Sequence, residues 1–437
     1  MFAALAVPNF RRYVSGQALS LIGTWVETVA QALLVLRLTH SGVLLGLATA
    51  ARFAPILFLS PYAGLVVDRF PKLRILLVTQ LGLGCVSLLL GVAVLSGEVT
   101  LWQVFALAIA FGIFSAVDNP ARQAFVPEVV GRSLVRNAVT LNSTTVNVAR
   151  VIGPTIAAVV IDRVGIRWCF VINAVSFLFV IASLLSLDVT RLHPTAPAGR
   201  STAPIREGLR YAAAVPEIVR PLVMMALVGT FTFEFEVSLP LLARDSFYGG
   251  ADAYSLLLGA FGAGAVLGGL YSAGHARTGV RRLARTATWY AVAMGLLAAM
   301  PNLWTAVGAC ALVGVATITF LTTGNSTVQL AADPHYRGRV MALWSTALVG
   351  STAIGAPIIG SASQLTDPRF GVALGALACL GATATSYWPT RRPASHTTTP
   401  EGLAAHPVQR DSPPGIAAAN RLIAAHGTTA TKPTVGR

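Results

Sequence analysis

Apolar residues gather along the chain in runs of about 20 residues, the length that an α-helix needs to cross a bilayer. Short polar stretches separate these runs, and the pattern continues as far as Trp388. It predicts twelve membrane-spanning helices. The predicted spans are 13–38, 42–66, 74–96, 101–121, 139–161, 167–187, 219–243, 254–274, 283–300, 303–323, 340–363 and 370–388.

The composition supports the same conclusion. Apolar residues make up 54% of the 437 residues, charged residues only 11%, and the mean hydropathy is +0.68. A soluble protein carries roughly 25% charged residues because its surface faces water. We therefore predict an all-α membrane protein with twelve transmembrane helices.

The second half of the chain repeats the first. The segment LIGTWVETVAQALLVL begins at Leu21 and LVGTFTFEFEVSLPLL begins at Leu227, an offset of 206 residues that recurs between Asn119 and Asn325. Six spans repeated in the same orientation predict two six-helix bundles related by an axis along the membrane normal. This is the architecture of a rocker-type secondary transporter.

The spans and the repeat divide the chain into five segments. We predict a cytoplasmic N-terminus at 1–12, six-helix bundles at 13–187 and 219–388, a cytoplasmic linker at 188–218 and a cytoplasmic tail at 389–437. The linker contains PIREGLRY, which predicts a short surface helix that begins at the proline. The tail has no apolar periodicity and is predicted to be disordered.

Basic residues lie mostly on one side of the predicted bundle. Of the 32 Lys and Arg residues, 19 fall in the N-terminus and every second connection, 6 in the tail and 5 in the opposite connections. The positive-inside rule then predicts a multi-pass protein of the cytoplasmic (inner) membrane with both termini in the cytoplasm. Because these loops also account for the net charge of +15, anionic lipid rather than nucleic acid is the expected partner.

No pattern in the sequence predicts an enzyme, a cofactor or a metal site. The four cysteines lie in predicted spans without paired spacing, and four of the seven histidines lie in the linker or the tail. Lys72 and Lys432 are the only lysines, and neither precedes Ser or Thr as a Walker A loop requires. Transport is therefore expected to draw on an ion gradient or on a separate ATPase.

A glycine, an acid and a basic cluster occupy the predicted turn between spans two and three. They are Gly64, Asp68, Arg69, Lys72 and Arg74. The stretch resembles the loop signature of the major facilitator superfamily, and the resemblance implies the major facilitator fold. The glycine would permit close helix approach, and Asp68 would lie against the positive N-terminus of span eleven, near Gly338, as a latch between the halves. The alternative is a solvated turn.

Further matches extend the resemblance over residues 8–388. They are DNPARQAFVP from Asp118, Leu141-Asn142, Arg150, Gly153-Pro154 and RGRVM from Arg337. Together they resemble the exporter branch that includes enterobactin exporters and macrolide efflux proteins, and Gly153-Pro154 is similar to the fifth-helix motif of drug:proton antiporters. The resemblance implies efflux of a drug-like or siderophore-like small molecule, and thus siderophore export or multidrug or antibiotic resistance. We expect a monomer. Ala149 departs from the antiporter motif, which leaves ordinary helix packing as the alternative.

Two acids lie at matching depths in the first spans of the repeats. Glu27 is 14 residues into span one and Glu234 is 15 into span seven, about 21 and 22 Å deep at about 1.5 Å per residue. A charge at mid-bilayer costs about 2.5 to 3.5 kcal/mol, so such an acid faces a cavity, finds a partner or holds a proton. Arg52 and Arg150 are the predicted partners of Glu27, whereas span seven offers Glu234 no cation. We predict that both acids carry protons in antiport.

Glu236 is the second acid of span seven. Around a regular helix it lies about 200° from Glu234, so the two cannot both face one cavity. One of the two is expected to face the cavity between the halves, and the other to lie near the outer interface or against a neighbouring helix; the sequence leaves open which is which. We predict that Glu234 carries the proton and that Glu236 does not.

Aromatic and polar side chains near these acids are candidates for the substrate cavity: Trp25, Gln31, Asn142, Asn147 and Phe231. Packing against other helices is the alternative role for the aromatic ones. Two other functions stay open at this point. An importer of a polar nutrient would carry a denser set of polar groups, and a non-transporting membrane receptor or scaffold would tolerate loss of Glu27 and Glu234.

Overall fold

The computed structural model describes residues 3–193, 205–274, 278–333 and 336–386. The described residues contain helices and no strands, which confirms the all-α class. The first half contains α1 (Pro8–Thr39), α2 (Gly42–Arg69), α3 (Lys72–Leu95), α4 (Leu101–Val130), α5 (Val135–Arg163) and α6 (Arg167–Leu185). The second half contains α7 (Ile205–Ala214), α8 (Pro216–Thr232), α9 (Phe235–Leu241), α10 (Ala251–Gly274), α11 (Val280–Ala299), α12 (Leu303–Ala331), α13 (Arg337–Leu365) and α14 (Pro368–Thr385).

Helices occupy all twelve predicted spans. Within the described residues, ten segments are long and apolar enough to cross a membrane, with α8, α9 and the π-helical turn Leu242–Ser246 counted as one. The other two spans are α11, which begins VRRLAR, and α14, which has 18 residues. α4 and α12 run past their predicted ends at 121 and 323, because polar residues end the hydropathy signal without ending the helical hydrogen bonds.

The predicted linker differs from the structure at its end. The surface helix is present as α7, but α8 already begins at Pro216, inside the predicted 188–218 segment. Proline is well tolerated in the first helical turn because its missing N–H has no helical acceptor there. The predicted tail at 389–437 lies outside the described residues.

The seventh predicted span is not one regular helix, contrary to the prediction for 219–243. α8 ends at Thr232, and α9 begins at Phe235 after an irregular turn. The Thr and Phe residues of the TFTFEF stretch have lower helix propensity than Leu or Ala, so the chain gives up little by leaving the helix there. The turn places Glu234 between two helical segments.

The helices of each half pack in the same arrangement. α1 lies against α5 and α6 as α8 lies against α13 and α14, and α4 packs on α2 and α3 as α12 packs on α10 and α11. The halves meet through α2 with α13 and through α5 with α10. These two contacts are equivalent, because α10 corresponds to α2 in the repeat and α13 corresponds to α5. This packing confirms the prediction of two six-helix repeats.

The contact between α2 and α13 is uneven along the helices. We call the side of the bundle with the connections 70–71, 131–134 and 278–279 the basic face, and the other side the opposite face. Near the opposite face, a Cβ at Gly42 would stand 3.0 Å from the carbonyl oxygen of Gly360. Near the basic face, Gly64 and Gly338 have no atom within 4 Å of such a position. The close approach of α2 and α13 at Gly42 therefore lies near the opposite face, and neither Gly64 nor Gly338 takes part in such an approach at the basic face.

Candidate transport site

Glu27 lies in the middle of α1 on the side that faces α6. Its side chain is 4% exposed, and its Oε2 accepts a hydrogen bond of 2.5 Å from Nδ2 of Asn173. The same amide donates to Oγ of Ser87 on α3 at 3.2 Å. Gly23 lets α6 approach, because a Cβ there would lie 2.7 Å from Oδ1 of Asn173. A neutral amide within the first half therefore holds Glu27.

In the described residues no direct ion pair joins Glu27 to an arginine, although the charge of Arg52 acts on it at longer range, so the predicted charge pairing with Arg52 or Arg150 stays a prediction. Arg52 instead donates from Nη1 to Oγ1 of Thr28 at 3.3 Å and lies 4.4 Å over the ring of Phe111. The physical reason is helical geometry. Consecutive residues point about 100° apart, so α1 turns Glu27 towards α6 and its neighbour Thr28 towards α2.

Arg150 lies on α5, where the two halves meet. Its guanidinium carbon is 5.2 Å from the centroid of the Trp25 ring on α1 and 5.9 Å from that of Phe261 on α10. Contact with aromatic faces stabilises a cation that is removed from water. Among the described residues its Nε is buried without a hydrogen-bond partner, and the charge of Glu236 acts on it. Arg150 thus links both halves.

The Gly153-Pro154 pair follows Arg150 by one turn and is buried. A Cβ at Gly153 would overlap that of Trp25, so the glycine permits the close approach that brings this ring beneath Arg150. Pro154 lies inside α5 without ending it. The pair has a packing function here, and its function in antiport stays a prediction.

A small cavity of about 20 Å³ joins the two halves between α1, α2 and α9. Its polar lining comes from Thr28, Gln31, Thr49, Arg52 and Glu236. A space of that size holds about one water molecule. Because Arg52 belongs to the first half and Glu236 to the second, the cavity places opposite charges across the interface.

Glu234 stands at the break between α8 and α9. Its backbone is non-helical (φ −84°, ψ 40°), and its carbonyl oxygen accepts hydrogen bonds from the amides of Val237 and Ser238. The side chain is 2% exposed, and neither carboxyl oxygen has a hydrogen-bond partner among the described residues. Oε1 lies beside α13, 2.8 Å from where a Cβ on Gly355 would stand, and Thr352 is close but outside hydrogen-bond geometry.

The break changes the predicted relation between the two acids of this segment. Glu236 lines the small cavity with Arg52, whereas Glu234 packs against α13. The sequence left open which of the two acids faces the cavity, and in the structure it is Glu236 that lines it. The irregular turn at Phe233 and Glu234 gives α9 an orientation that a regular helix would not have. The proton-carrying role of Glu234 stays a prediction.

The predicted cavity residues divide into two groups. Gln31 lines the small cavity with Arg52, and the ring of Trp25 lies beneath Arg150. The other three are half-buried: Asn142, Asn147 and Phe231. Contact with substrate stays a prediction for all five. Nδ2 of Asn147 donates to the carbonyl oxygen of Ser143 on its own helix at 2.9 Å.

The loop motif forms no latch in this conformation. Asp68 is exposed and has no hydrogen bond or ion pair among the described residues. Arg69 and Arg74 are also exposed, and Nζ of Lys72 pairs with Oε1 of Glu128 on α4 at 3.2 Å. The predicted contact near Gly338 is not made among the described residues, because nothing lies within 4 Å of a Cβ position there. It stays a prediction for a conformation in which this face closes.

Sequence reasoning did not foresee a buried polar network in the first half. Asp118 of α4 pairs with Arg122, which also donates to Gln17 on α1. Asp118 accepts a further hydrogen bond of 2.7 Å from Thr79 on α3. Gln17 inside an apolar span was the available signal, since buried polar groups are nearly always hydrogen-bonded. No group of His, Cys, Asp or Glu in the described residues is suited to hold a metal.

Comparison with known proteins connects these features to a family. Residues 1–409 match the model of a family described as transmembrane secretion effector. The chain is 26% identical over 249 residues to a staphyloferrin A transporter of Staphylococcus aureus, covering 56% of this chain and 62% of that relative's length. It is 26% identical over 366 residues to the enterobactin exporter EntS of Shigella boydii, covering 83% and 86%.

Two solved structures share the fold. The nucleoside transporter NupG matches with a TM-score of 0.69 and 12% identity, over 89% of this chain and 100% of that chain. A bacterial homologue of the human lysosomal transporter Spinster, inward-facing and unoccupied, matches with a TM-score of 0.66 and 15% identity, over 86% and 94%. At such identities the likeness shows the fold alone. The family match covers every described helix, so the chain is a multi-pass membrane transporter that belongs to the transmembrane secretion effector family of the major facilitator superfamily.

Proposed function

We propose that the protein exports a siderophore-like or drug-like small molecule that carries negative charge, in exchange for protons. The observation that carries the proposal is the pair of arginines where the halves meet. Arg52 and Arg150 both lie over aromatic rings, and Glu236 is the acid that faces them. Relatives named for staphyloferrin A and enterobactin support a siderophore-like cargo.

The arginines favour an anionic substrate with flat groups. A guanidinium binds a carboxylate through two parallel hydrogen bonds, stacks on aromatic faces and keeps its charge at every physiological pH. In the described conformation Glu236 supplies the counter-charge across the small cavity. An anionic substrate entering from the basic face would replace Glu236 as the partner of Arg52 and Arg150. Its binding would thus weaken the electrostatic link that holds the halves together near the opposite face.

Glu234 is the first proposed proton carrier. A buried acid without a hydrogen-bond partner is best tolerated in its neutral form, because an uncompensated charge there is costly. The turn on which it stands separates α8 from α9, so a shift of α9 against α13 would change its access to water. Opening of the opposite face would then admit water and alter its proton occupancy.

Glu27 is the second proposed proton carrier. The Asn173 amide donates a hydrogen bond to its carboxyl group and thereby joins α1 to α6. A proton arriving at Glu27 would weaken that bond and loosen α1 from α6. The two acids would therefore take up and release protons at different stages of one cycle.

Proton antiport is tested by flux in proteoliposomes. The purified protein is reconstituted into liposomes, and enterobactin or staphyloferrin A serves as the probe. A pH-sensitive dye inside the liposomes records proton movement. We expect probe export to be accompanied by proton entry, and an imposed proton gradient to accelerate export. Probe movement without proton movement would disprove antiport. Inward accumulation driven by the gradient would favour an importer, and binding without movement would favour a receptor.

The substrate class is tested at the arginines. Arg52→Gln and Arg150→Gln are each expected to weaken binding of an anionic probe by about tenfold, as expected when a charged group loses its partner. Arg163→Gln is the matched control, because its side chain at the opposite face is exposed. Unchanged affinity in both arginine variants would exclude an anionic substrate at this site while leaving the proton measurement valid.

A further inference from the structure

A lateral groove lies among α10, α11 and α12, away from the contact between the halves. It has a volume of about 470 Å³. The α11 side is a stripe of residues at helical spacing that includes Arg282, Arg285, Trp289 and Leu296. Tyr271 of α10 and an apolar part of α12 form the other wall. The groove is separate from Arg52, Arg150 and the two buried acids.

The groove is basic at one end and apolar along its length. Arg282 and Arg285 lie in the first two turns of α11, at the basic face, whereas Leu296 lies about 21 Å further along at about 1.5 Å per residue. Between them, Trp289 is 71% exposed, and Leu312 of α12 is 52% exposed. None of the described residues that line the groove is acidic. This distribution fits a molecule with an anionic head and a long apolar chain.

We propose that this groove binds one anionic phospholipid, with its phosphate at Arg282 and Arg285 and an acyl chain along Trp289. The length of about 21 Å suits one leaflet with its headgroups, since a bilayer is about 40 to 45 Å thick when its headgroup regions are included. Basic pockets between membrane helices recognise anionic headgroups by the same charge complementarity. The proposal also accounts for arginines at the start of a membrane helix, where an anionic phosphate offsets the cost of the charge.

Trp289 provides the measurement. The protein is placed in nanodiscs of phosphatidylcholine with a small fraction of phosphatidylglycerol brominated on its acyl chains, and tryptophan quenching is recorded. The signal of Trp289 is the difference between the native chain and Trp289→Phe. Trp102→Phe gives the matched control, because Trp102 on α4 is 76% exposed near the opposite face. We expect brominated phosphatidylglycerol to quench Trp289 about tenfold more effectively than brominated phosphatidylcholine, and Trp102 equally with both.

Arginine variants distinguish a headgroup site from ordinary lipid contact. Arg282→Gln with Arg285→Gln should remove the preference at Trp289, and the two Lys substitutions should retain most of it. Arg132→Gln with Arg136→Gln removes the same charge from exposed positions elsewhere on the basic face and should leave the preference unchanged. Equal quenching by both lipids in the native chain, or a preference that survives both Gln substitutions, would overturn the proposal. Loss of the preference in the Arg132 and Arg136 variant would do so as well, by showing a non-specific charge effect.

Discussion

Glu27 and Glu234 occupy corresponding regions of the two repeats, but they differ in backbone conformation and in hydrogen bonding. α1 runs unbroken through Glu27 for 32 residues, and Asn173 of α6 donates to its carboxylate. α8 ends before Glu234, and neither of its carboxyl oxygens has a hydrogen-bond partner in the described part of the chain. The first acid belongs to a continuous helix, and the second belongs to a turn.

The difference shows what a repeat preserves. Helix order and packing partners are the same in both halves, because they depend on the broad distribution of apolar residues. Polar contacts depend on single side chains, and among the described residues Glu234 has no counterpart of Asn173. Because only one of two acids in equivalent places is hydrogen-bonded, we expect the two to have different roles in transport.

The largest expected effect is that of Glu234→Gln. If the unbonded acid carries the proton, uphill export should fall by at least about tenfold, equivalent to about 1.4 kcal/mol, while probe binding persists. Glu27→Gln should cause a smaller loss, because glutamine can still accept from Asn173. Proteoliposome flux measures both, with exposed Glu98→Gln as control. Equal losses in the two variants would remove the distinction, and unchanged flux in Glu234→Gln would refute its role.

Gly355→Ala tests the packing around the unbonded acid. The added Cβ would overlap the carbonyl oxygen of Thr230 and crowd Oε1 of Glu234, so the turn must shift. We expect a destabilisation of about 1 to 3 kcal/mol, seen as a lower melting temperature in detergent. Gly381→Ala is the control, because its Cβ would meet nothing within 4 Å. Equal melting temperatures would show that the turn accommodates the methyl group freely.

Asn173→Ala tests the bonded acid. Glu27 would lose its hydrogen-bond donor, which should cost about 1 to 2 kcal/mol. Adding Glu27→Gln should reduce that cost, because a neutral side chain is less expensive to leave unbonded. Thermal unfolding of the single and double variants gives the coupling. Asn147→Ala serves as control, since its amide bonds only to its own helix in the described structure. Additive effects would mean that the two residues act independently.

The smallest expected effect concerns the hydrogen bond between Tyr336 and Glu207, which lies outside the membrane-spanning segments. Tyr336 donates from its hydroxyl to Oε1 of Glu207 on α7 at 3.1 Å, and this hydrogen bond raises the pKa of Tyr336 above its ordinary value. Because the pKa is raised, the hydrogen bond makes its full contribution to the stability of the docked α7 at pH values below the ordinary tyrosine pKa of about 10. That contribution is lost as the pH rises through the pKa of Tyr336 in the folded protein. Glu207→Gln should lower the pKa of Tyr336. Ultraviolet titration against Tyr336→Phe measures it, and an unchanged pKa would contradict the assignment.

Much of the fold follows from the sequence, because membrane helices obey local rules. Every backbone polar group must be satisfied inside the bilayer, so each long apolar run becomes a helix. The segment 219–243 is the exception, since hydropathy does not detect an irregular turn that is buried within protein. The repeat offset between Leu21 and Leu227 was sufficient to predict the shared packing of the halves.

The candidate site was less predictable. The sequence was sufficient to place four ionisable residues within the spans, since an ionisable residue in an apolar run can be read directly from the sequence. In the structure all four are buried or half-buried: Glu27, Arg52, Arg150 and Glu234. It did not identify the partners. Asn173 is distant from Glu27 along the chain, and only the approach of α6 to α1 at Gly23 brings them together.

The sequence by itself determined the membrane class, the two repeats, the family and the presence of acids and arginines within the spans, because these depend on composition and spacing along the chain. Only the tertiary structure decided that Asn173 bonds Glu27, that Glu236 lines the cavity with Arg52, and that Glu234 stands on a turn. The physical reason is that hydrogen bonds and ion pairs act over a few ångströms between helices. A shift of one turn or a rotation of about 100° therefore changes every partner.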